Sequence, residues 1–227
     1  MKKIVILTGA GISAESGIKT FRDADGLWEG HDIMEVASPI GWERNKNLVL
    51  DFYNKRRSQL LKVSPNEGHK ALVLLENKYH VTIITQNVDD LHERAKSKNV
   101  VHLHGELLKV RSTKNAHLIY DWKKDLNIGD VCKENAQLRP HIVWFGEEVP
   151  MLDKAIEITT KADILIIIGT SMQVYPAASL VNFVTTNTPI YFIDPKPTIQ
   201  ENQYSNLTVI AENASTGVVK VVNELIG

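Results

Sequence analysis

Hydrophobic positions along this chain gather in short uninterrupted runs instead of alternating with polar ones. Ile4–Leu7, Val81–Thr85, Ile164–Ile168 and Pro189–Ile193 are such runs. Strands of this kind are covered on both faces, as in a parallel sheet between helices. Stretches with helical spacing lie among them, at Pro65–Lys78 and Ala177–Val184, and a last one, Thr216–Ile226, is expected to pack back on the core. The alternation predicts an α/β fold, a Rossmann-like parallel sheet with helices on both faces and a smaller inserted module. Two stretches break the pattern and supply that module. Residues 24–64 begin Ala24-Asp25-Gly26-Leu27-Trp28 and continue into a long helical pattern from Trp42 to Leu61. Residues 109–137 are polar and mixed, with a turn at Asn127-Ile128-Gly129-Asp130. Residues 1–23, 65–108 and 138–227 remain as the core of one domain spanning 1–227.

The residues that end the apolar runs point to one place. They are Thr8-Gly9, Gln86-Asn87, Gly169-Thr170-Ser171 and Asp194, and ligands of open α/β sheets bind beyond the carboxyl ends of the strands. The first run leads into Gly9-Ala10-Gly11-Ile12-Ser13-Ala14-Glu15-Ser16-Gly17. Glycines there allow a tight turn and close backbone approach, and N–H groups opening the next helix would favour a phosphate. Read as G-x-G-x-x-A, the stretch passes for a dinucleotide fingerprint. A hydride-transfer unit would have a second strand ending in Asp or Glu about 20 residues later. Here Thr20 to Gly26 is a polar loop, so a simple dehydrogenase is disfavoured.

Composition narrows the partners. With 227 residues the chain can bury a substantial core, and its formal net charge of -1 gives no electrostatic case for nucleic acid or an anionic membrane. No apolar run approaches the roughly 20 residues of a membrane helix. Met1-Lys2-Lys3 resembles a signal n-region, but the glycine turn and Glu15 interrupt the run behind it, which reads as a first core strand. The lone Cys132 excludes an internal disulfide and any site with several cysteine ligands. A cytoplasmic location is expected.

Three constellations could carry chemistry. Thr85-Gln86-Asn87-Val88-Asp89 ends a strand with two amides and a carboxylate. Amides can read a carboxamide and a carboxylate can accept from ribose hydroxyls, although Asn87 and Asp89 could equally cap a helix around Leu91. His102-Leu103-His104-Gly105 puts two imidazoles on one side of an extended segment. One of them could serve as general base, remain a core histidine, or bind metal with Asp89 or His92. Arg139 to Glu147 is extended and aromatic. It could add a strand to a peptide, or Trp144 and Phe145 could be ordinary packing.

Together these stretches resemble one family over nearly the whole chain, the sirtuins, which are NAD-dependent protein lysine deacylases. The matching motifs are GAGISAESGIKTFRD (9–23), TQNVD (85–89), HLHG (102–105), LRPHIVWFGE (138–147) and GTS (169–171). Lys19 stands where proline is usual. The resemblance implies that Gly9, Ala10 and Gly11 cradle the pyrophosphate of NAD, with Ser13 and Glu15 of the same motif on the cofactor side. Phe21, Arg22 and Asp23 would belong to a loop closing over the nicotinamide, with Trp28 nearby. Gln86, Asn87, Val88 and Asp89 would bind nicotinamide and its ribose. Gly169, Thr170 and Ser171 would meet the adenosine half, Asp194 the adenine ribose, and Asn213 and Ala214 the adenine side. Val143, Trp144, Phe145 and Gly146 would pair with the peptide and guide an acyl-lysine into a tunnel. His104 would be the general base on a ribose hydroxyl, after the acyl oxygen has displaced nicotinamide. The products would be free lysine and an O-acyl-ADP-ribose.

Two departures matter. The family's small module holds zinc with two C-x-x-C pairs, whereas here the positions read Arg111-Ser112-Thr113-Lys114 and Cys132-Lys133-Glu134-Asn135. One thiol cannot complete a four-coordinate site, so no zinc is expected and the module should be held by packing around Trp122 and Tyr120. Tyr53 and Arg56 share a helix face and, with Ala37, resemble the signature of sirtuins that remove succinyl-, malonyl- or glutaryl-lysine. A guanidinium can grip the acyl carboxylate in a bidentate pair, although from spacing alone Arg56 could be a surface residue in a basic run. The expected activity is therefore NAD-dependent removal of acidic acyl groups, and of acetyl, from lysines of proteins by a monomer. ADP-ribosyl transfer and a non-catalytic NAD-binding module are the alternatives.

Overall fold

The computed structural model describes residues 1–19, 27–28, 30–200, 203 and 205–227, with Leu27 and Trp28 described as backbone only. Phe21, Arg22, Asp23 and the side chain of Trp28 lie outside the described residues. The chain runs through β1 (Lys3–Thr8), α1 (Gly11–Ala14), a two-stranded antiparallel pair β2 (Leu27–Trp28) and β3 (His31–Asp32), then α2 (Ile33–Val36), α3 (Pro39–Arg44) and α4 (Lys46–Leu60). After α5 (Glu67–Leu74) come β4 (His80–Thr85), α6 (Leu91–Arg94), β5 (Val100–His102), β6 (Gly105–Ser112), β7 (Ile119–Asp121) and β8 (Leu138–Ile142). The remainder holds α7 (Leu152–Thr159), β9 (Ile164–Ile168), β10 (Ile190–Ile193), β11 (Leu207–Ile210) and α8 (Ala214–Ile226).

Six strands form a parallel sheet in the order β11-β10-β9-β1-β4-β5. From β1 the chain builds outward through β4 to β5, then returns to the other side of β1 and builds outward through β9. That reversal makes the carboxyl edge between β1 and β9 the switch point, the place where sheets of this kind bind ligands in a crevice. Alternate residues of β1 explain why its apolar run is continuous. Ile4 and Ile6 enter one core with Leu72 and Leu75 on one side and Val218 and Val221 of α8. Val5 and Leu7 enter a second core with Ala155, Leu180 and Phe192.

A third core lies in the smaller part, where Val36, Trp42, Val49, Phe52 and Tyr53 meet Leu107, Val110, Leu126, Leu138 and Trp144. Its sheet has the order β7-β6-β8, so strand pairing carries it past 109–137 in both directions. Val110 and Leu126 are fully buried, whereas Tyr120 and Trp122 pack against the rim. Between the two stretches that stand at the C-x-x-C positions, Cys132 donates its Sγ–H to Ser112 Oγ at 3.3 Å, and that oxygen accepts from the N–H groups of Lys114 and Asn115. Asn54 on α4 ties the 126 loop down, accepting from Leu126 N at 2.9 Å and donating to Leu126 O at 3.1 Å.

Three expected elements differ. The pattern from Trp42 to Leu61 is two helices, because Asn45 (φ -151°) leaves helical geometry and accepts from Leu48 N at 3.0 Å as an N-cap. The stretch 177–183 is a 3-10 helix rather than α. The extended segment from Arg139 ends at Ile142. The chain then turns, Glu147 N bonding Trp144 O at 3.0 Å, with Gly146 at φ +89°, a conformation in which glycine carries no steric penalty. Among the described residues no helix is long and apolar enough to cross a membrane, and no cluster of three His, Cys, Asp or Glu side chains is placed to hold a metal.

Candidate active site

The β1 and β9 loops are interlocked at the crevice. Gly9 N donates to Ile168 O at 3.0 Å and Gly11 N to Gly169 O at 2.8 Å. A methyl on Gly9 would lie 2.8 Å from Gly169 O, and one on Gly11 2.5 Å from Gly169 Cα. Gly169 itself sits at φ +60°. These two N–H groups therefore bind protein, so the glycines serve close approach of two loops rather than offering both N–H groups to a phosphate. Gln86 Nε2 spans the crevice to Thr170 Oγ1 at 3.1 Å, and Ser171 O accepts from Thr198 Oγ1 at 3.0 Å.

On the far side Asp194 is buried at the end of β10 and accepts from Lys196 N at 2.8 Å. Glu15 reaches the opposite end of the chain, where both its oxygens accept from Ser215, at 2.9 Å from N and 2.6 Å from Oγ. A carboxylate there complements the positive end of α8. Asn213 is the backbone N-cap of α8 without a side-chain capping bond, and Ala214 is buried.

Beside the glycines a buried polar chain forms. Asn87 Nδ2 donates to Ser13 Oγ at 3.1 Å, and Ser13 Oγ donates to Asp89 Oδ2 at 2.9 Å. Asp89 Oδ1 accepts from Leu91 N at 3.1 Å, so the carboxylate caps the start of α6 as well as facing the cluster. Burial pushes its pKa up, against the pull of those hydrogen bonds. Val88 contributes its carbonyl to Leu107 N at 2.7 Å. Below them His92 Nε2, Thr8 Oγ1 and Thr85 Oγ1 are linked at 3.1 and 2.8 Å, and Asn87 N donates to Thr85 Oγ1 at 3.0 Å.

Geometry separates the two histidines of the H-x-H stretch. His104 Nδ1 lies 3.1 Å from Gln86 O. A carbonyl can only accept, so Nδ1 carries the proton and Nε2 keeps its lone pair. Burial lowers the His104 pKa, which keeps the ring neutral near pH 7. His102 has both nitrogens engaged, with Asn87 O at 3.1 Å and Glu93 Oε1 at 2.7 Å, so neither is open to a substrate or a metal. Gly105 (φ +85°) follows, and a Cβ there would meet His141 O at 2.1 Å.

The aromatic side is a connected network. Tyr53 is fully buried and Arg56 is 8% exposed, so α4 turns this basic position inward. Trp144 Nε1 donates to Tyr53 Oη at 3.0 Å, and burial raises the Tyr53 pKa well above its ordinary value. The Arg56 guanidinium lies 5.8 Å from the Phe52 ring centre. Arg139 lies 3.3 Å over the Trp144 ring and grips Glu147 with both nitrogens, at 2.7 and 3.1 Å. Glu147 also accepts from Arg111 and, at 2.8 Å, from Trp144 N. Val143 N donates to His104 O and Phe145 N to Ala37 O, each at 2.9 Å. The N–H groups of Val143, Trp144 and Phe145 are thus engaged within the protein at this turn, and the Phe145 side chain is exposed.

A family model described as the Sir2 family matches residues 9–176. The chain belongs to the Sir2 family. It is 61% identical over 226 residues to an NAD-dependent protein deacylase of Helicobacter pylori strain J99, covering 100% of this chain and 96% of that one. Among solved structures, a Sir2 homolog in complex with NAD is 38% identical, with a TM-score of 0.89 over 99% of this chain and 90% of that one. A Sir2 mutant with deacetylated p53 peptide and 3′-O-acetyl ADP-ribose is 29% identical, with a TM-score of 0.79 over 97% and 92% of the two chains.

For this Sir2-family chain, the fold brings together most of the residues singled out in the sequence. Gly9, Gly11, Gln86, Gly169 and Thr170 share one edge, Ser13, Asn87 and Asp89 one hydrogen-bonded cluster, and Ala37, Tyr53 and Trp144 one network. Glu15 and Ser215 form a separate link. Sequence reasoning assigned no role to Arg139 or Glu147, placed Thr8 and Thr85 only at strand ends, and weighed His92 only as a metal partner. Arg139 and Glu147 stood eight positions apart in a quoted motif, but only the turn at Gly146 makes them partners.

Proposed function

We propose that this chain is an NAD-dependent protein-lysine deacylase acting on acyl-lysine side chains, with a preference for succinyl and malonyl groups. The observation that carries the reading is His104, neutral, oriented through Nδ1 by Gln86 O and left with a basic Nε2 beside the crevice. The residues present suit NAD, since the switch-point crevice has a glycine-lined floor and an amide–hydroxyl–carboxylate cluster at one end. When bound, NAD supplies a cleavable nicotinamide–ribose bond and the ribose hydroxyl that takes up the acyl group. Gln86, Asn87 and Asp89 hold that end, and Gly169, Thr170, Ser171 and Asp194 hold the other. His104 Nε2 accepts a proton from the ribose hydroxyl, becoming a cation whose Nδ1–H bond to Gln86 O strengthens. Trp144 and the buried aromatic network exclude water from the acyl group.

Arg56 and Tyr53 favour a carboxylate at the far end of the acyl chain, and Ala37 leaves room for it. The reading includes a monomeric cytoplasmic enzyme with no nucleic-acid partner and a small module held without zinc, the lone Cys132 thiol supporting the last point. Acetyl-, malonyl- and succinyl-lysine peptides, followed by mass spectrometry with and without NAD, test it. NAD-dependent release of O-acyl-ADP-ribose is expected, with a loss of about 10²–10⁴-fold in His104→Ala. Arg56→Met should lower succinyl turnover far more than acetyl turnover; equal losses refute carboxylate recognition. Label from NAD persisting on protein without acyl-ribose product would favour ADP-ribosyl transfer instead.

A further inference from the structure

β5 lies parallel to β4, with His102 in register with Thr85 and Leu103 N bonded to Thr85 O at 2.9 Å. From this strand His104 takes the carbonyl of Gln86 and His102 takes the next, that of Asn87. The two rings differ in one respect. His102 also meets Glu93 Oε1 at 2.7 Å through its other nitrogen. A neutral imidazole has one N–H, so one of these contacts would set two lone pairs against each other. Both partners accept, and the arrangement is satisfied only when both ring nitrogens carry hydrogen.

We propose that His102 is held as an imidazolium between Glu93 and the Asn87 carbonyl, and acts as a positioning residue for the amide–carboxylate end of the site. The proposal rests on the reading that Gln86, Asn87 and Asp89 serve the nicotinamide ribose. The clamp fixes the peptide unit from which the Asn87 side chain reaches Ser13, and through Ser13 the carboxylate of Asp89. The groups facing the ring are Glu93 and His92 on α6, Asn87 O and Asp89 on the loop before it, and Glu106 and Lys109 on β6. Burial opposes the charge, but the Glu93 carboxylate and the Asn87 carbonyl outweigh it and hold the His102 pKa above its ordinary value. His102, Asp89, Glu106 and Lys109 border a cavity of ≈ 370 Å³, which gives this proton a route to solvent.

The two histidines then limit activity from opposite sides. Activity falls in acid as His104 becomes protonated, and falls in alkali as His102 loses its second hydrogen and the Asn87 carbonyl is released. The test is the pH profile of kcat/KM for NAD, together with ¹⁵N spectra of the His102 ring in the full chain at neutral pH. The expected spectrum has both His102 nitrogens protonated, and a neutral ring overturns the proposal. Glu93→Gln can donate to Nε2, so a neutral ring keeps its Nδ1–H on Asn87 O, and the variant should lose the alkaline limb and leave the acid limb in place. His102→Gln keeps one donor for Asn87 O and should abolish the alkaline limb, raising KM for NAD roughly tenfold with a smaller change in kcat. An alkaline limb unmoved in both variants overturns the proposal. The spectra need no turnover, so a chain that lacks deacylase activity yet shows a doubly protonated His102 defeats the functional reading and not the clamp.

Discussion

Buried neutral histidines make the fold sensitive to acid, and His69 allows the effect to be sized. Its side chain is fully buried on α5, its ring centre is 4.9 Å from that of His92, and neither ring nitrogen has a hydrogen-bond partner among the described residues. Burial lowers its pKa from 6.5 to about 4. The folded state therefore refuses a proton that the unfolded chain accepts below pH 6.5. The contribution is fully present above that pH and is lost as pH falls toward 4. At pH 5 the unfolded group lies about 1.5 pH units below its pKa, and at roughly 1.4 kcal/mol per unit the loss is about 2 kcal/mol. His92 acts in the same direction, its pKa lowered first by burial and then by the charges of His69 and His102. The assay is urea unfolding of the wild type and His69→Leu at pH 7 and pH 5. The variant should lose about 2 kcal/mol less than the wild type across that interval. An equal loss in both proteins would refute the assignment of acid lability to His69.

Two further perturbations probe other parts of the site. Gly11→Ala forces a methyl to within 2.5 Å of Gly169 Cα. It should cost about 1–3 kcal/mol and weaken NAD binding, checked by denaturation and NAD titration; an unchanged midpoint refutes the interlock. Glu147→Gln removes the carboxylate that holds Arg139 and Arg111. Because Glu147 keeps 21% side-chain exposure, the expected cost is roughly 2 kcal/mol, below that of a fully buried pair. KM for acyl peptides should rise as Trp144 loses its anchor, and unchanged KM and stability would count against the network.

Much of this was legible in the residues because burial on both faces leaves an unmistakable mark. Ile4–Leu7 and Ile164–Ile168 feed cores on either side of one sheet, and charged residues are absent from both runs. β11 was not legible. Leu207-Thr208-Val209-Ile210 is an edge strand with only Leu207 buried, so it shows no continuous apolar run. Asn45 was readable in principle as a helix breaker, but the apolar positions on both sides keep a helical phase across it. At the site, H-x-H was visible as a pair of candidates, and only the facing acceptors separate them. The identity of the acceptor opposite each ring nitrogen depends on the β4–β5 register and on α6. In the Tyr53–Trp144–Arg139–Glu147 network the Tyr53–Trp144 bond joins residues 91 positions apart, and no local pattern encodes that distance.

The position of β1 at the middle of the sheet bears on how the chain is made. It is made before the other strands of its sheet, and its partners come late. Thr8 meets Thr85 77 residues on, and Lys3 N meets Asp163 Oδ2 160 residues on. Until β9 emerges, β1 has one unpaired apolar edge, the kind of surface that recruits other strands. A translation product stopped before Ile164 would carry that edge permanently. The pairing that builds the crevice thus also marks the point in synthesis at which the nascent chain stops being a template for aggregation.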